Sequence, residues 1–342
     1  MKERKTDHIK ISLEKEVEAG SNGFNDIRLV HCALPEIDLD KIVLSTEFLG
    51  KKLNYPILVE AMTGGTEESM LINEALAEVA GELGIGMEVG SQRPAIEEKS
   101  LAETFDVIVK PAKKTLKIAN LGAVQLNYGY GLKECKKAVE MIDADALALH
   151  LNALQEVVQP EGNTNFSELL PKIEEICSGM SVPVIVKEVG CGISKKVAHG
   201  LITAGVKCID VGGYGGTSWN RIESYRVTGE KKELSEAFDG WGIPTAISLL
   251  EIKDLDCPKI ASGGIRTGIE AAKAIALGAD IVGLALPLLK ALDKKGQDGV
   301  IDYLHQFIDE LRLAMFLVGA KDLASLKKAD YKVTGTAREW IS

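Results

Sequence analysis

Eight times between residues 56 and 284 the chain repeats one unit: a short apolar run ends in glycine or polar residues, and a helical stretch follows. The runs are 56–61, 85–89, 116–119, 146–149, 184–186, 208–211, 259–261 and 281–284. They are apolar almost throughout, as strands covered on both faces must be. Residues 73–83, 131–142, 166–178, 194–204, 268–277 and 299–318 space their apolar side chains at helical intervals. In the first of these, Leu76, Val79, Ala80 and Leu83 share a face. Gly84, Gly179, Gly205 and Gly278 stand where a left-handed residue closes a helix. This repetition predicts an α/β protein, a (β/α)8 TIM barrel over residues 55–342, with a doubly wound sheet as the competing architecture. Residues 1–54 are expected to add an N-terminal extension: a mobile arm around residues 4–8, then a hairpin around Gly50.

Composition removes several classes of function. Acidic residues outnumber basic ones 50 to 40, for a net charge of −10, which argues against a nucleic-acid partner. The longest charge-free stretch, residues 118–132, is too short and polar to span a bilayer. Met1-Lys2-Glu3-Arg4-Lys5 has no apolar core of a secretory signal, and six scattered cysteines without a Cys-x-x-Cys argue against zinc ribbons and disulfide frameworks. A cytoplasmic protein with no membrane partner is expected. Glycine is abundant, 34 residues or about 10% against a usual ~7%, and the chain has no low-complexity tract, so close backbone approaches to a ligand are expected.

In a barrel the chemistry lies at the C-terminal ends of the strands. All eight ends here carry polar or glycine residues. Ser262-Gly263-Gly264-Ile265-Arg266-Thr267-Gly268 precedes a helix, and glycine-freed N–H groups at a helix N-terminus cradle phosphate. A Gly-Gly turn alone is a plain tight turn; its place after the seventh strand, with Ala285-Leu286 after the eighth, points to a phosphate site. Lys187 closes an apolar run, as a Schiff-base nucleophile, as a fixed charge beside an anionic ring, or as a snorkelling or salt-bridged lysine. Met62-Thr63-Gly64 brings backbone to a flat ring edge without bulk. His150, Asn152, Gln155 and Glu156 form the most unusual cluster. Alternation points His150 and Asn152 to one side. His150 and Gln155 can bond a phosphorylated substrate, and Glu156 can hold Mg2+, which needs one or two carboxylates beside phosphate oxygens. Arg4, Lys5, His8 and Arg93 supply cations suited to a diphosphate.

Together these pieces resemble one family, the type 2 isopentenyl-diphosphate isomerases, which are FMN-dependent (β/α)8 barrels. The resemblance runs almost from end to end: Arg4-Lys5-x-Asp7-His8, Met62-Thr63-Gly64-Gly65, Ser91-Gln92-Arg93, Asn120-Leu121-Gly122, His150-x-Asn152-x-x-Gln155-Glu156, Lys187-Glu188-Val189-Gly190, the loop from Gly212 to Trp219 with Glu223, and Ser262-Gly263-Gly264-Ile265-Arg266. The His–Asn–Gln–Glu string and the Arg–Lys arm are its specific parts; the glycine motifs are shared with other FMN barrels. The resemblance implies interconversion of isopentenyl and dimethylallyl diphosphate. It implies FMN contacts at Met62, Thr63, Gly64, Ser91, Asn120, Lys187, Thr217, Gly264, Ile265, Arg266, Ala285 and Leu286. It implies substrate contacts at Arg4, Lys5, Gln155 and His150, and Mg2+ at Glu156. It also implies NADPH as reductant and a homotetramer or homo-octamer. Reduced FMN is then the expected acid–base catalyst, since no carboxylate pair in the sequence stands out for that role; Gln155 either positions the substrate or relays a proton. An FMN oxidoreductase of the 2-hydroxy-acid oxidase type is the rival, weakened because the later part of the barrel offers no histidine base. A ligand-binding module without turnover is a further alternative.

Overall fold

The computed structural model describes residues 2–341. Its strands are β1 (Ile27–Leu29), β2 (Thr46–Phe48), β3 (Lys51–Leu53), β4 (Ile57–Val59), β5 (Gly86–Glu88), β6 (Lys117–Gly122), β7 (Ala146–Leu151), β8 (Val184–Glu188), β9 (Cys208–Asp210), β10 (Lys259–Ala261), β11 (Ile281–Leu284) and β12 (Tyr331–Val333). Strands β4 to β11 pair in parallel and close on themselves, β11 against β4, so the fold is a (β/α)8 barrel and the doubly wound sheet is excluded.

Alternation along the strands divides the barrel interior into two layers. Leu58, Ile118, Ala146, Ala148, Ile185, Cys208, Ile260 and Ile281 pack into an apolar lower layer. Two residues further along the same strands, the inward positions become Glu60, Asn120, His150, Lys187, Asp210, Ser262 and Gly283, joined by Glu88 from β5. The barrel is thus apolar below and polar above. The residues between them in sequence, among them Val59, Met87, Ala119 and Val186, face outward into the core beneath the helices.

The hairpin forms as expected from β2 and β3, and its two-residue turn has Leu49 and Gly50 both at positive φ, 48° and 78°. That turn type matches strand twist. It delivers Phe48 and Leu53 against the lower layer and plugs the barrel's N-terminal end. The expectation of a mobile arm at residues 4–8 is corrected: α1 (Lys2–Glu14) is a helix that places Lys5, His8, Ile9 and Ser12, all buried, over the other end of the barrel. Their spacing is one helical face. The N-terminal segment is also joined to the far end of the chain, since β1 pairs antiparallel with β12.

Gly84, Gly205 and Gly278 adopt positive φ at their helix ends. Gly179 does not. The helix Leu169–Gly179 runs through it, and a Cβ there would strike the Leu132 side chain, so this glycine serves close packing between helices. The stretch expected at 299–318 is the second half of Leu286–Leu317, two helices that meet at Gly296, whose φ of 64° breaks the helical path.

Candidate active site

One pocket opens at the C-terminal end of the barrel, beneath α1. Of the residues expected from sequence to touch substrate, cofactor or metal, all but Gly64 and Ile265 line it. Gly64 instead allows close approach of the Phe105 ring, which a Cβ would strike, so it packs the loop rather than clearing a ligand edge. The Ile265 side chain is fully buried in the core, which leaves its backbone N–H as the part it offers a phosphate.

The glycine loops after β9 and β10 lie backbone against backbone. A Cβ on Gly216 would meet the Gly264 nitrogen, and one on Gly264, at φ 78°, would meet the Gly215 carbonyl. Only glycine fits, and the loops arrive at the N-terminus of the helix Gly268–Ala276, whose N-cap Thr267 forms a capping box with Glu270. Arg266 stands beside this cradle, its Nε 2.9 Å from Glu18 Oε1. Helix N-terminus, glycine-backed loops and arginine are the donor set a phosphate monoester needs. With Met62 and Ala285 as apolar lining and Asn120 and Lys187 at the polar inner layer, these residues fit a flavin mononucleotide.

On the opposite side a continuous polar network runs under α1. Glu223, fully buried, accepts from Gln155 Nε2 at 3.1 Å and from Arg226 Nη1 at 2.6 Å, and His8 Nε2 lies 2.9 Å from its Oε1. Gln155 Oε1 accepts from Asn152 Nδ2 at 3.0 Å, and the same amide reaches Glu156 Oε1 at 2.9 Å. The other Glu156 oxygen accepts from Gln159 Nε2 at 2.6 Å and from the Asn163 N–H at 2.5 Å. Burial opposes the charge of Glu223, but His8, Gln155 and Arg226 outweigh it and hold the carboxyl near 2. Burial lowers His8 below the usual histidine value, with Glu223 offsetting part of that, so His8 is neutral at neutral pH and Arg226 is the lasting countercharge.

Among the described residues, two cations, Arg4 and Lys5, face the pocket in no ion pair. Burial, and then Arg4, pull Lys5 down to about 8, against the opposing pull of Glu223. Arg4 Nε is buried with no hydrogen-bond partner, and its Nη1 reaches only Gln159 Oε1 at 3.5 Å. This pair suits a polyanion. Arg93 sits at the rim, bonded to Glu97 at 2.8 Å and Asn163 at 3.2 Å.

His150 is set by its neighbours. Asn120 Nδ2 donates to Glu88 Oε1 at 2.6 Å, which turns Asn120 Oδ1 toward His150 Nδ1 at 2.8 Å. Nδ1 therefore carries the proton and Nε2 is an acceptor. Burial, with Lys187 and Lys5, lowers His150 to about 3. In this state His150 accepts from a ligand hydroxyl; it donates to a phosphate only after taking up a proton.

Sequence reading missed Glu60, Glu88 and Asp210. They surround Lys187: Nζ pairs with Glu60 Oε2, lies 2.6 Å from Glu88 Oε2 and 3.2 Å from Asp210 Oδ2. Three carboxylates tether the lysine, the salt-bridged arrangement among the sequence alternatives, rather than a free amine or a lone charge. The signal was present, one acid in each of three otherwise apolar runs and at inward parity. Glu223 belonged to the motif but carried no assigned role.

The barrel and its phosphate cradle define a class, the FMN-type α/β barrels, and the family model that matches residues 99–333 is that of the FMN-dependent dehydrogenases. Solved structures of the same fold include a mandelate oxidase, TM-score 0.65 at 18% identity with 96% of each chain covered, and a lactate oxidase from Pediococcus acidilactici, TM-score 0.66 at 20% identity over 96% of this chain and 87% of that one. Much nearer in sequence are isopentenyl-diphosphate delta-isomerases. Those of Methanoregula boonei (47% identical, 99% of this chain and 95% of that protein), Pyrococcus furiosus (48%, 99% and 88%) and Rickettsia conorii (48%, 97% and 97%) match nearly end to end. The chain belongs to the isopentenyl-diphosphate delta-isomerase family.

Proposed function

We propose that this protein interconverts isopentenyl and dimethylallyl diphosphate by a 1,3-proton shift, with FMN as its cofactor. The observation that carries the reading is the pairing, in one pocket, of a phosphate cradle on the later strands with a second anion site on α1. Identity of 46–48% to delta-isomerases over 97–99% of this chain supports it.

When bound, reduced FMN supplies the acid–base group and an electron-rich face for the tertiary cation that protonation of the alkene creates. The chain does the rest. Arg4 and Lys5 hold the diphosphate. Helix α1, with Ile9, Ser12 and His8 turned inward and His8 edge-on to Trp219 at 5.0 Å, keeps water from the reacting carbons. Gln155, fixed between Glu223 and Asn152, orients the substrate; both its amide ends are committed, which favours positioning over relay. Glu156 is the proposed Mg2+ ligand. Both its oxygens already accept hydrogen bonds from amides, so metal entry requires Gln159 or Asn152 to turn its carbonyl inward. NADPH is the proposed reductant, and the reaction consumes none of it stoichiometrically. A cytoplasmic homotetramer or homo-octamer, with no nucleic-acid or membrane partner, completes the reading. No helix among the described residues is long and apolar enough to cross a membrane. Leu34, Val43, Leu313 and Leu317 are exposed apolar surface that an assembly would bury.

The test is an anaerobic incubation with isopentenyl diphosphate, Mg2+, FMN and NADPH, followed by NMR for the dimethylallyl product, with each component omitted in turn. Product that requires reduced FMN without stoichiometric NADPH loss is expected. Bound yellow flavin without product would sink the isomerase reading and direct a screen of 2-hydroxy acids.

A further inference from the structure

Below the proposed cofactor pocket, the polar layer of the barrel holds more negative charge than it can neutralise. Lys187 on β8 faces Glu60 after β4, Glu88 on β5 and Asp210 on β9, all four at most 6% exposed. Among the described residues, Lys187 is the one cation in ion-pair contact with any of the three. If all were ionised, two buried negative charges would stand uncompensated, a state that buried groups avoid by taking a proton.

The hydrogen bonds show where that proton goes. Lys187 Nζ donates to Glu60 Oε2 and to Glu88 Oε2, whereas Asp210 Oδ2, 3.2 Å away, takes no hydrogen bond from it. Glu88 keeps its second oxygen on Asn120 Nδ2 at 2.6 Å, and Asp210 keeps Oδ1 on the Ser262 hydroxyl at 2.6 Å and the Gly212 N–H at 3.3 Å. Glu60 Oε1 has nothing. It is buried without a partner, against Gly283, where a Cβ would collide with it. Asp210 Oδ2 also lacks a hydrogen bond, and the ligand oxygens of the three acids lie within 4.8 Å of one another.

We propose that Glu60 is a neutral carboxylic acid, its proton held within the cluster against Asp210, so that Lys187 is balanced by two ionised carboxylates rather than three. Burial, with Asp210 and Glu88, pushes Glu60 well above the usual carboxylate range, and Lys187 offsets only part of this. The floor of the pocket then carries one net negative charge, whereas Arg4, Lys5 and Arg266 place the positive charge at its rim. Such a floor selects a ligand whose anionic groups stay at the rim and whose ring stays uncharged when it gains electrons. Glu60 acts here as a positioning residue, through Lys187. This rests on the FMN reading for the ligand, but not for the proton.

Infrared spectra of 13C-labelled holoenzyme carrying unlabelled FMN separate protein acid bands from flavin carbonyls. In a Glu188→Gln background, which removes the other carboxyl that burial raises, to about 7, a protonated-acid band is expected with Glu60 and Glu88 intact and in Glu88→Gln, and is expected to vanish in Glu60→Gln. In the same proteins the midpoint potential of bound FMN reads the charge. Glu60→Gln replaces one neutral group by another, and should change the reduction equilibrium less than tenfold, about 30 mV for two electrons. Glu88→Gln removes a real negative charge and should raise the potential by more than that. Absence of the acid band, its survival in Glu60→Gln, or an equal rise in both variants would overturn the proposal. A protein that bound no flavin would refute the cofactor reading while the infrared result still decided the proton.

Discussion

Lys5 is a cation kept dry beside a second cation, and that arrangement makes substrate binding sensitive to base. With its ammonium released near 8, the diphosphate finds Lys5 charged below that pH and neutral above it. The expected outcome is a fall in kcat/KM on the alkaline side with an apparent pKa near 8, seen in KM rather than kcat. Lys5→Arg should remove that limb, because guanidinium stays charged; an unchanged limb would assign it to another group. At this scale much of the site was legible in the amino-acid order, since polar residues at strand ends declare themselves. His150 and Lys187 were visible as residues but not as chemistry. The tautomer of His150 depends on the flip of Asn120, which depends on Glu88, 62 positions before His150 in the chain. No local pattern carries that information.

Helix α1 shows why an element can be misread when each of its residues is read correctly. Its first residues are so polar that by propensity they look solvated, and the helix is held by tertiary contacts that sequence periodicity undervalues. Arg226 reaches both Asp7 on α1 and the buried Glu223, tying α1 to the helix Trp219–Ser224. Ile9 is the apolar anchor of its inner face. Ile9→Asp would bury a charge at a cost of several kcal/mol and so undock the helix. Turnover is expected to fall at least about tenfold while the flavin absorbance remains with the protein after gel filtration. Flavin lost together with turnover would mean that α1 is part of the cofactor's own cradle. The barrel strands, by contrast, were legible to within a few residues, because burial on both faces leaves a run of apolar residues in the sequence.

For the whole molecule, cofactor and fold stability are linked. FMN that binds only the folded chain should stabilise it by about 2.7 kcal/mol at a hundredfold excess over Kd. A rise of several degrees in Tm is expected on adding FMN, and Gly264→Ala should abolish the rise, since its Cβ would enter the Gly215 carbonyl. A full rise in that variant would place the phosphate elsewhere. The pairing of β1 with β12 was not legible at all, because each strand is three residues long and carries no signal beyond its own length. Yet that pairing orders events during synthesis. Ile27 meets Val333, so β1 must wait, unpaired, until β12, about 300 residues later in the chain, has left the ribosome. The plug at the barrel's base packs on a layer completed by Ile281, whereas this seam waits for residues 331–333, and a nascent chain stalled before residue 331 would expose a bare strand edge for chaperones or for another copy to capture.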